Sequence, residues 1–414
     1  MKIRISKATI VDERHPDNGK KRDILIENGK ITKIAASIKT EVDKVIESEG
    51  LCVSIGWMDM RANFRDPGDE QKEDLESGLK AAANGGFTAV ALMPSTNPPI
   101  DNKGAVEYLL NRAKSGKVQV VPIGTISKKR AGESLAEMYD MYRAGAKAFS
   151  DDKESISESG LLHRALLYTK NFDATVIHFP YDATLIPNGQ INEGVQSTLL
   201  GLKGIPAIAE EMMVARDLTL LEYTNGRLHL GPVSSAMSIK RIASAKKDGL
   251  RITCETTAAH IAYSENELEN FDTNFKVLPP LRSEQNRKEL IKLLKSGKID
   301  VISSDHSPED EEHKKLEFDY ANFGMASIES FFPVLYTAVG SSMDLAKLVA
   351  TFSINPRRIL DLEIPEIKEG VRANLTLFSI SEKTVFEKMN LKTKGYNVAE
   401  IGKELNGKVL AIFS

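Results

Sequence analysis

The sequence predicts an α/β protein: a closed (β/α)8 TIM-like barrel with a small β-domain formed from both chain ends. Three observations point there. From residue 51 onward, short apolar β-rich runs alternate with helical-period segments, the sign of parallel βαβ units. The runs number eight, which favours a closed barrel over an open doubly wound sheet. Both ends of the chain break this rhythm with isolated strands, and 414 residues at 41% apolar content can fill one large core and a second smaller one.

In chain order, residues 1 to 50 alternate runs such as Ile3-Arg4-Ile5, Ile24-Leu25-Ile26 and Ile31-Thr32-Lys33-Ile34 with turn residues such as Asn28-Gly29, the pattern of a small antiparallel sheet. The candidate barrel strands are Leu51–Asp59, Phe87–Pro94, Val118–Thr125, Ala146–Asp151, Ala174–His178, Arg227–Gly231, Arg251–Thr256 and Ile299–Asp305. Helical-period segments lie between them, among them Glu73–Asn84, Leu135–Arg143, Gly160–Lys170, Val214–Tyr223, Ala236–Lys247 and Glu284–Lys295. Near residue 370 isolated strands return, at Asn374–Phe378 and Gly407–Phe413. We therefore expect a small β-domain over 1–52 and 366–414 and the barrel over 53–365.

Composition narrows the function classes. Lys and Arg total 55 against 58 Asp and Glu, a net charge of −3, with no dense basic run interleaved with aromatics, so no nucleic-acid partner is expected. The start lacks a long apolar stretch and no later run approaches ~18 apolar residues, so neither a secretory signal nor a membrane span is expected and the protein reads as cytoplasmic. Cys52 and Cys254, both in β-rich apolar sequence, read as reduced buried thiols.

In such barrels the working residues come from the C-terminal ends of the strands and the loops that follow. Strand one ends in Asp59-Met60-Arg61-Ala62-Asn63-Phe64-Arg65-Asp66-Pro67-Gly68 and strand two in Met93-Pro94-Ser95-Thr96. Strand four ends in Ser150-Asp151-Asp152, strand five at His178, strand six in His229-Leu230-Gly231-Pro232-Val233-Ser234, and strand eight in Ser304-Asp305-His306-Ser307-Pro308. Polar groups thus gather at one rim.

In this order the segments resemble dihydroorotase and its cyclic amidohydrolase relatives, whose first strand carries D-x-H-x-H-x-R-x-P-G and whose second turn carries M-P-N-T. Further support comes from Gly201–Pro206, Ala215–Leu218, Thr253–Thr257, Lys276–Arg282, Ser304–Pro308 and Asn355–Leu360, so the likeness spans almost the whole chain. The resemblance implies a metallo-dependent hydrolase fold, pyrimidine biosynthesis, and opening of a cyclic amide with one or two zinc ions while the strand-eight aspartate handles the proton.

Carried over residue by residue, the family's site is broken. On a strand, residues i and i+2 face one side, so the family's H-x-H delivers two imidazoles to one metal. Here those places hold Arg61 and Asn63, and the strand-six histidine aligns with Pro232 rather than His229. A guanidinium only donates, Asn63 is a poor zinc ligand, and a positive charge ~4 Å from a divalent ion at an effective dielectric of ~20 costs on the order of 8 kcal/mol. Asp152, His178 and Asp305 remain as the remnant metal ligands, Asp305 also as a vestigial base, and Arg61 is expected to replace the metal's charge by pairing with Asp305 or Asp152.

The substrate positions are mixed. Arg65 matches the family residue that grips the substrate carboxylate, and Ser95 stands where the asparagine of M-P-N-T would be. Leu278 replaces the asparagine of V-N-P-P, and Glu309 replaces the histidine of D-H-A-P-H, placing a negative charge where an anionic substrate is expected. Plainer readings stand beside these: His178 as a hydrogen-bonded core histidine, Asp305 as a turn cap or counter-charge, Asp151 and Asp152 as loop acids, Arg65 as a bridge to Asp66 or Asp69.

Three functions follow. The first is a non-catalytic dihydroorotase homologue with a structural role, for which the resemblance implies aspartate transcarbamoylase as partner. The second is an active cyclic amidase with an atypical zinc site on Asp152, His178 and Asp305. The third is a binding module that holds a small carboxylate on Arg65. No cofactor is expected on the first and third, zinc on the second, and a homo-oligomer on all.

Overall fold

The computed structural model describes residues 1–114 and 116–414. One sheet joins the chain ends. Strands β1 (Lys2–Ile10), β2 (Lys21–Glu27), β3 (Lys30–Ala35), β4 (Lys44–Ile46) and β5 (Leu51–Ile55) open the chain, and the last two strands close it. The C-terminal strand Leu375–Val385 lies antiparallel on β5, with Leu375 opposite Ile55 and Leu377 opposite Val53, and its other edge takes Glu404–Phe413. Alternation builds this sheet's core. Ile3 and Ile5 of β1, Ile24 and Ile26 of β2, and Val53 and Ile55 of β5 are buried together with Leu375 and Leu377.

The expected first barrel strand, Leu51–Asp59, proves to be two strands: β5 stays in the terminal sheet, and after Gly56 the chain enters the barrel as β6 (Trp57–Ala62). Gly56 is required there, because a Cβ would stand 2.1 Å from both Asn374 Oδ1 and Thr88 Oγ1. Trp57 then packs on Phe87, Phe332, Phe352 and Phe378, so one buried indole ties the barrel to the terminal sheet.

The barrel continues with β7 (Phe87–Leu92), β8 (Gln119–Gly124), β9 (Ala148–Phe149) and β10 (Thr175–His178). A short pair, β11 (Ile191–Asn192) and β12 (Gly204–Ile205), forms an excursion before β13 (Leu228–Leu230), β14 (Ile252–Thr257) and β15 (Val301–Ser303). The parallel order is β6-β7-β8-β9-β10-β13-β14-β15, and a bridge between Ala62 and His306 brings the last strand back to the first. Met58, Met60, Ala89, Ala91, Val121, Ile123 and Val301 fill the lumen in the alternating pattern a barrel needs.

All six expected helical segments form, with ends that move by a few residues; Val214–Tyr223 is the second half of a longer helix, Ile208–Thr224. Local chemistry sets several starts. Asp74 and Ser77 form a capping box before Leu75–Asn84, and the Ser283 hydroxyl accepts the Asn286 N–H at the start of Glu284–Lys295. Cys52 and Cys254 are buried free thiols, as expected, and burial pushes the Cys52 thiol up to about 12. Among the described residues no helix is long and apolar enough to cross a membrane.

Candidate functional site

The register of β6 against β7 slips between Asp59 and Ala62, and at that irregularity Arg61 turns its wholly buried guanidinium into the barrel mouth. Nε donates to Glu255 Oε1 at 2.5 Å, Nη1 to Asp152 Oδ1 at 2.8 Å, and Nη2 to the Gly231 carbonyl at 2.8 Å. One cation therefore ties together the ends of the first, fourth, sixth and seventh barrel strands. Asn63, two residues on, reaches the same aspartate with Nδ2 at 3.3 Å from Asp152 Oδ2, and the Ser95 hydroxyl lies 2.6 Å from that oxygen and 2.5 Å from Asn63 Oδ1.

Electrostatics favour full ionisation at the centre. Burial opposes the Arg61 charge, but Glu255 and Asp152 outweigh it and raise the guanidinium further. Burial likewise opposes ionisation of Asp152 and Glu255, and Arg61 overcomes it, holding both carboxyls below their ordinary values. A buried pair of this kind persists only because it is well paired and hydrogen-bonded. His229 Nδ1 bonds Thr253 Oγ1 at 2.8 Å and its Nε2 lies 4.0 Å from Glu255 Oε1; burial pushes this imidazole down to about 4, so it is neutral.

The expected counter-charges of Arg61 were Asp152 or Asp305. Asp152 takes that role, and the second is Glu255, not Asp305. Lys153 is the reason: its ammonium bonds Asp305 Oδ2 at 2.9 Å and the Leu278 carbonyl. Asp305 stays about one-tenth exposed, its Oδ1 has no hydrogen-bond partner among the described residues, and burial raises its carboxyl although Lys153 and Arg61 oppose that. Neither Glu255 nor Lys153 was assigned a role from sequence. Glu255 offered a signal, the one charged residue in the strand Ile252–Thr257, whereas Lys153 beside Asp152 looks like any loop lysine.

The remnant ligand set needs correction, because Asp152, His178 and Asp305 do not converge. His178 Nδ1 lies 2.6 Å from Asp217 Oδ2, and Nε2 accepts the Ile156 N–H at 3.0 Å. Both ring nitrogens are therefore spent on protein partners, with the Nδ1–H tautomer set by the carboxylate. Its geometry is that of a hydrogen-bonded core histidine. Pro232 is buried and offers no ligand; its neighbour Gly231 supplies the carbonyl that Arg61 uses. Asp151 accepts the N–H groups of Ile126 and Ser127 at 2.8 and 3.0 Å and so pins the loop after β8.

Zinc needs three or four ligands with free lone pairs on one point. Here Asp152 Oδ1 faces a guanidinium and its Oδ2 Asn63 and Ser95, Asp305 Oδ2 faces an ammonium, and the His178 Nε2 lone pair an amide. Among the described residues no three His, Cys, Asp or Glu side chains are placed to hold a metal ion. The residues present do not fit the metal that the resemblance implies.

Above this cluster opens a cleft of about 730 Å³ whose lining includes Asn63, Arg65, Ser95, Asp152, Lys153 and Asp305. Arg65 lines it with a guanidinium already engaged: Nη2 donates to Glu309 Oε1 at 2.8 Å and to Ser307 Oγ at 2.9 Å. It bridges loops, but through Glu309 and Ser307 rather than Asp66 or Asp69. Glu309 also takes the Lys72 ammonium at 2.8 Å and Asn322 Nδ2 at 3.0 Å. The expected repulsion by Glu309 is therefore neutralised. What Glu309 removes from the cleft is the availability of Arg65.

A nearly closed parallel barrel with an adjoining sheet from both chain ends is the fold of the metallo-dependent hydrolase type. An L-hydantoinase (dihydropyrimidinase) from Arthrobacter aurescens superposes with a TM-score of 0.85 at 21% identity, covering 99% of this chain and 94% of that one, which shows the shared fold. A family model described as Dihydro-orotase-like matches residues 51–238. The dihydroorotase of Acetivibrio thermocellus is 40% identical over 97% of this chain and 94% of its own length, and that of Ruminiclostridium cellulolyticum 41% identical over 91% and 88%. The chain belongs to the dihydroorotase family.

Proposed function

We propose that this chain is a non-catalytic dihydroorotase homologue of pyrimidine biosynthesis with a structural role, and that its partner is aspartate transcarbamoylase. The likeness to dihydroorotases over nearly the whole chain supports the pathway. The observation that supports loss of catalysis is the placement of Arg61 between Asp152 and Glu255. A guanidinium at that point supplies the charge a metal would supply but can neither bind nor activate a hydroxide, because it is protonated at any working pH and offers donors only. Asp305, the base the resemblance assigns, is ion-paired to Lys153. On this reading the residues at the barrel mouth hold no group that would activate a hydroxide, and Asp305 is left engaged by Lys153 through one oxygen only.

Plasma-emission analysis of the purified protein for zinc, with a dihydroorotate ring-opening assay, tests this reading. The expected result is background zinc and no turnover; near-stoichiometric zinc with turnover would establish an active enzyme with an atypical zinc site instead. Co-purification of the transcarbamoylase tests the partner. A second reading, a small-molecule binding module, is favoured by the open cleft of about 730 Å³ above the cluster. Saturable dihydroorotate binding without turnover, and no captured transcarbamoylase, would select it.

A further inference from the structure

A second buried arginine lies at the other end of the barrel. Arg357, on the helix Ile354–Ile359, is 2% exposed. Its Nη1 donates to the carbonyls of Gly56 at 2.8 Å and Ser353 at 2.6 Å, and its Nη2 to Thr88 Oγ1 at 3.3 Å. All three acceptors are neutral. Arg61, equally buried, has two carboxylates; Arg357 pairs with none among the described residues, and burial pushes its guanidinium down to about 10. Buried charges are ordinarily paired, since an ion taken out of water without a counter-charge is costly.

Arg357 also lines a cleft of about 930 Å³ at the N-terminal ends of β7 and β8, together with Thr88, Lys117, Gln119, Arg372 and Asn374. Lys117 and Arg372 are exposed on its walls. Glu363 and Glu366 share the cleft, both exposed to solvent rather than turned onto the guanidinium, and so does Ser414, whose backbone oxygen accepts from Arg372 Nη2 at 3.4 Å. A guanidinium carries five N–H donors, and Nε and one Nη2 hydrogen of Arg357 have no acceptor among the described residues. That is the donor pair a carboxylate or phosphoryl group accepts in bidentate fashion.

We propose that this cleft is a binding site for a small anion, carboxylate or phosphoryl, which enters from the barrel's N-terminal end and is held by Arg357 with Lys117 and Arg372. It is separate from the cleft that contains Arg65 and shares no lining residue with it.

The test is thermal unfolding of the full chain titrated with inorganic phosphate and, separately, with succinate, each against sodium chloride at the same ionic strength. The midpoint rises saturably with at least one of the two anions and not with chloride. The anion that saturates at the lower concentration distinguishes a phosphoryl from a carboxylate ligand. Arg357→Met weakens the response at least tenfold. Should that variant fail to fold, Lys117→Ala and Arg372→Ala carry the test: each weakens the response several-fold and leaves the unliganded midpoint in place. Arg65→Ala, in the other cleft, keeps the response. The proposal is overturned if phosphate and succinate act no differently from chloride, if the response survives undiminished in the cleft variants, or if Arg65→Ala abolishes it.

Discussion

Arg61 on the first barrel strand and Glu255 on the seventh form a fully buried ion pair, Nε to Oε1 at 2.5 Å. The pair crosses the barrel mouth, and Asp152 completes a three-residue unit of one cation and two carboxylates, in which removal of Arg61 strands both acids.

Removing the cation should therefore cost more than its packing. Arg61→Met leaves Asp152 and Glu255 facing each other in a dry interior, and we expect a loss of about 3–5 kcal/mol by urea unfolding. Adding Glu255→Gln to Arg61→Met should restore part of that loss, because one of the two stranded charges is gone. Equal costs for the single and double variants would show that the pair is not energetically coupled.

Restoring the family's ligands is the converse experiment. Arg61→His, Asn63→His and Pro232→His together replace the blocking cation with three imidazoles beside Asp152, and zinc content should rise above the unaltered protein's. No rise would contradict the register that aligns Pro232 with the strand-six histidine, or show that His178, held by Asp217 and Ile156, cannot be released.

The cleft's anion affinity should depend on one internal competitor. Glu309→Gln frees Arg65 from its 2.8 Å partner, and calorimetric titration with dihydroorotate should show binding several-fold tighter than in the unaltered protein. Arg65→Ala should abolish that gain. If Glu309→Gln binds no better, Arg65 does not address the cleft's ligand.

Asp59 makes stability depend on pH. Burial raises its carboxyl from 3.8 to about 7 against the Ser304 hydrogen bonds, so between those values the folded protein holds a proton the unfolded chain has lost. Stability from this group is full below pH 4 and falls as pH rises towards 7, by up to about 4 kcal/mol at about 1.4 kcal/mol per pKa unit. Asp59→Asn should flatten the urea midpoint over that window. An unchanged slope would place the titration elsewhere.

Much of this architecture is legible in the sequence because periodicity reports burial. All eight barrel strands form at the expected runs, although β9 shrinks to Ala148–Phe149 and Leu51–Asp59 divides at Gly56. Ile55 and Trp57 are both apolar, so nothing in hydropathy marks where one sheet hands over to the next. At the site, the i, i+2 spacing puts Arg61 and Asn63 on one face, and both reach Asp152, of which only the Arg61 contact is expected from the sequence. Glu255 lies 194 residues from Arg61, and which acid meets a cation across a barrel depends on how the strands close, not on local pattern. For His178 the deciding facts are a carboxylate on a later helix and a loop amide, neither of which strand position reveals.

On the function proposed above, a guanidinium stands where the family's metal would stand. A crystal grown with excess zinc and measured at the zinc absorption edge tests it most directly. No anomalous peak is expected between Asp152 and Glu255, with Arg61 within hydrogen-bond distance of both. A peak there, with Arg61 displaced from the two carboxylates, would contradict it.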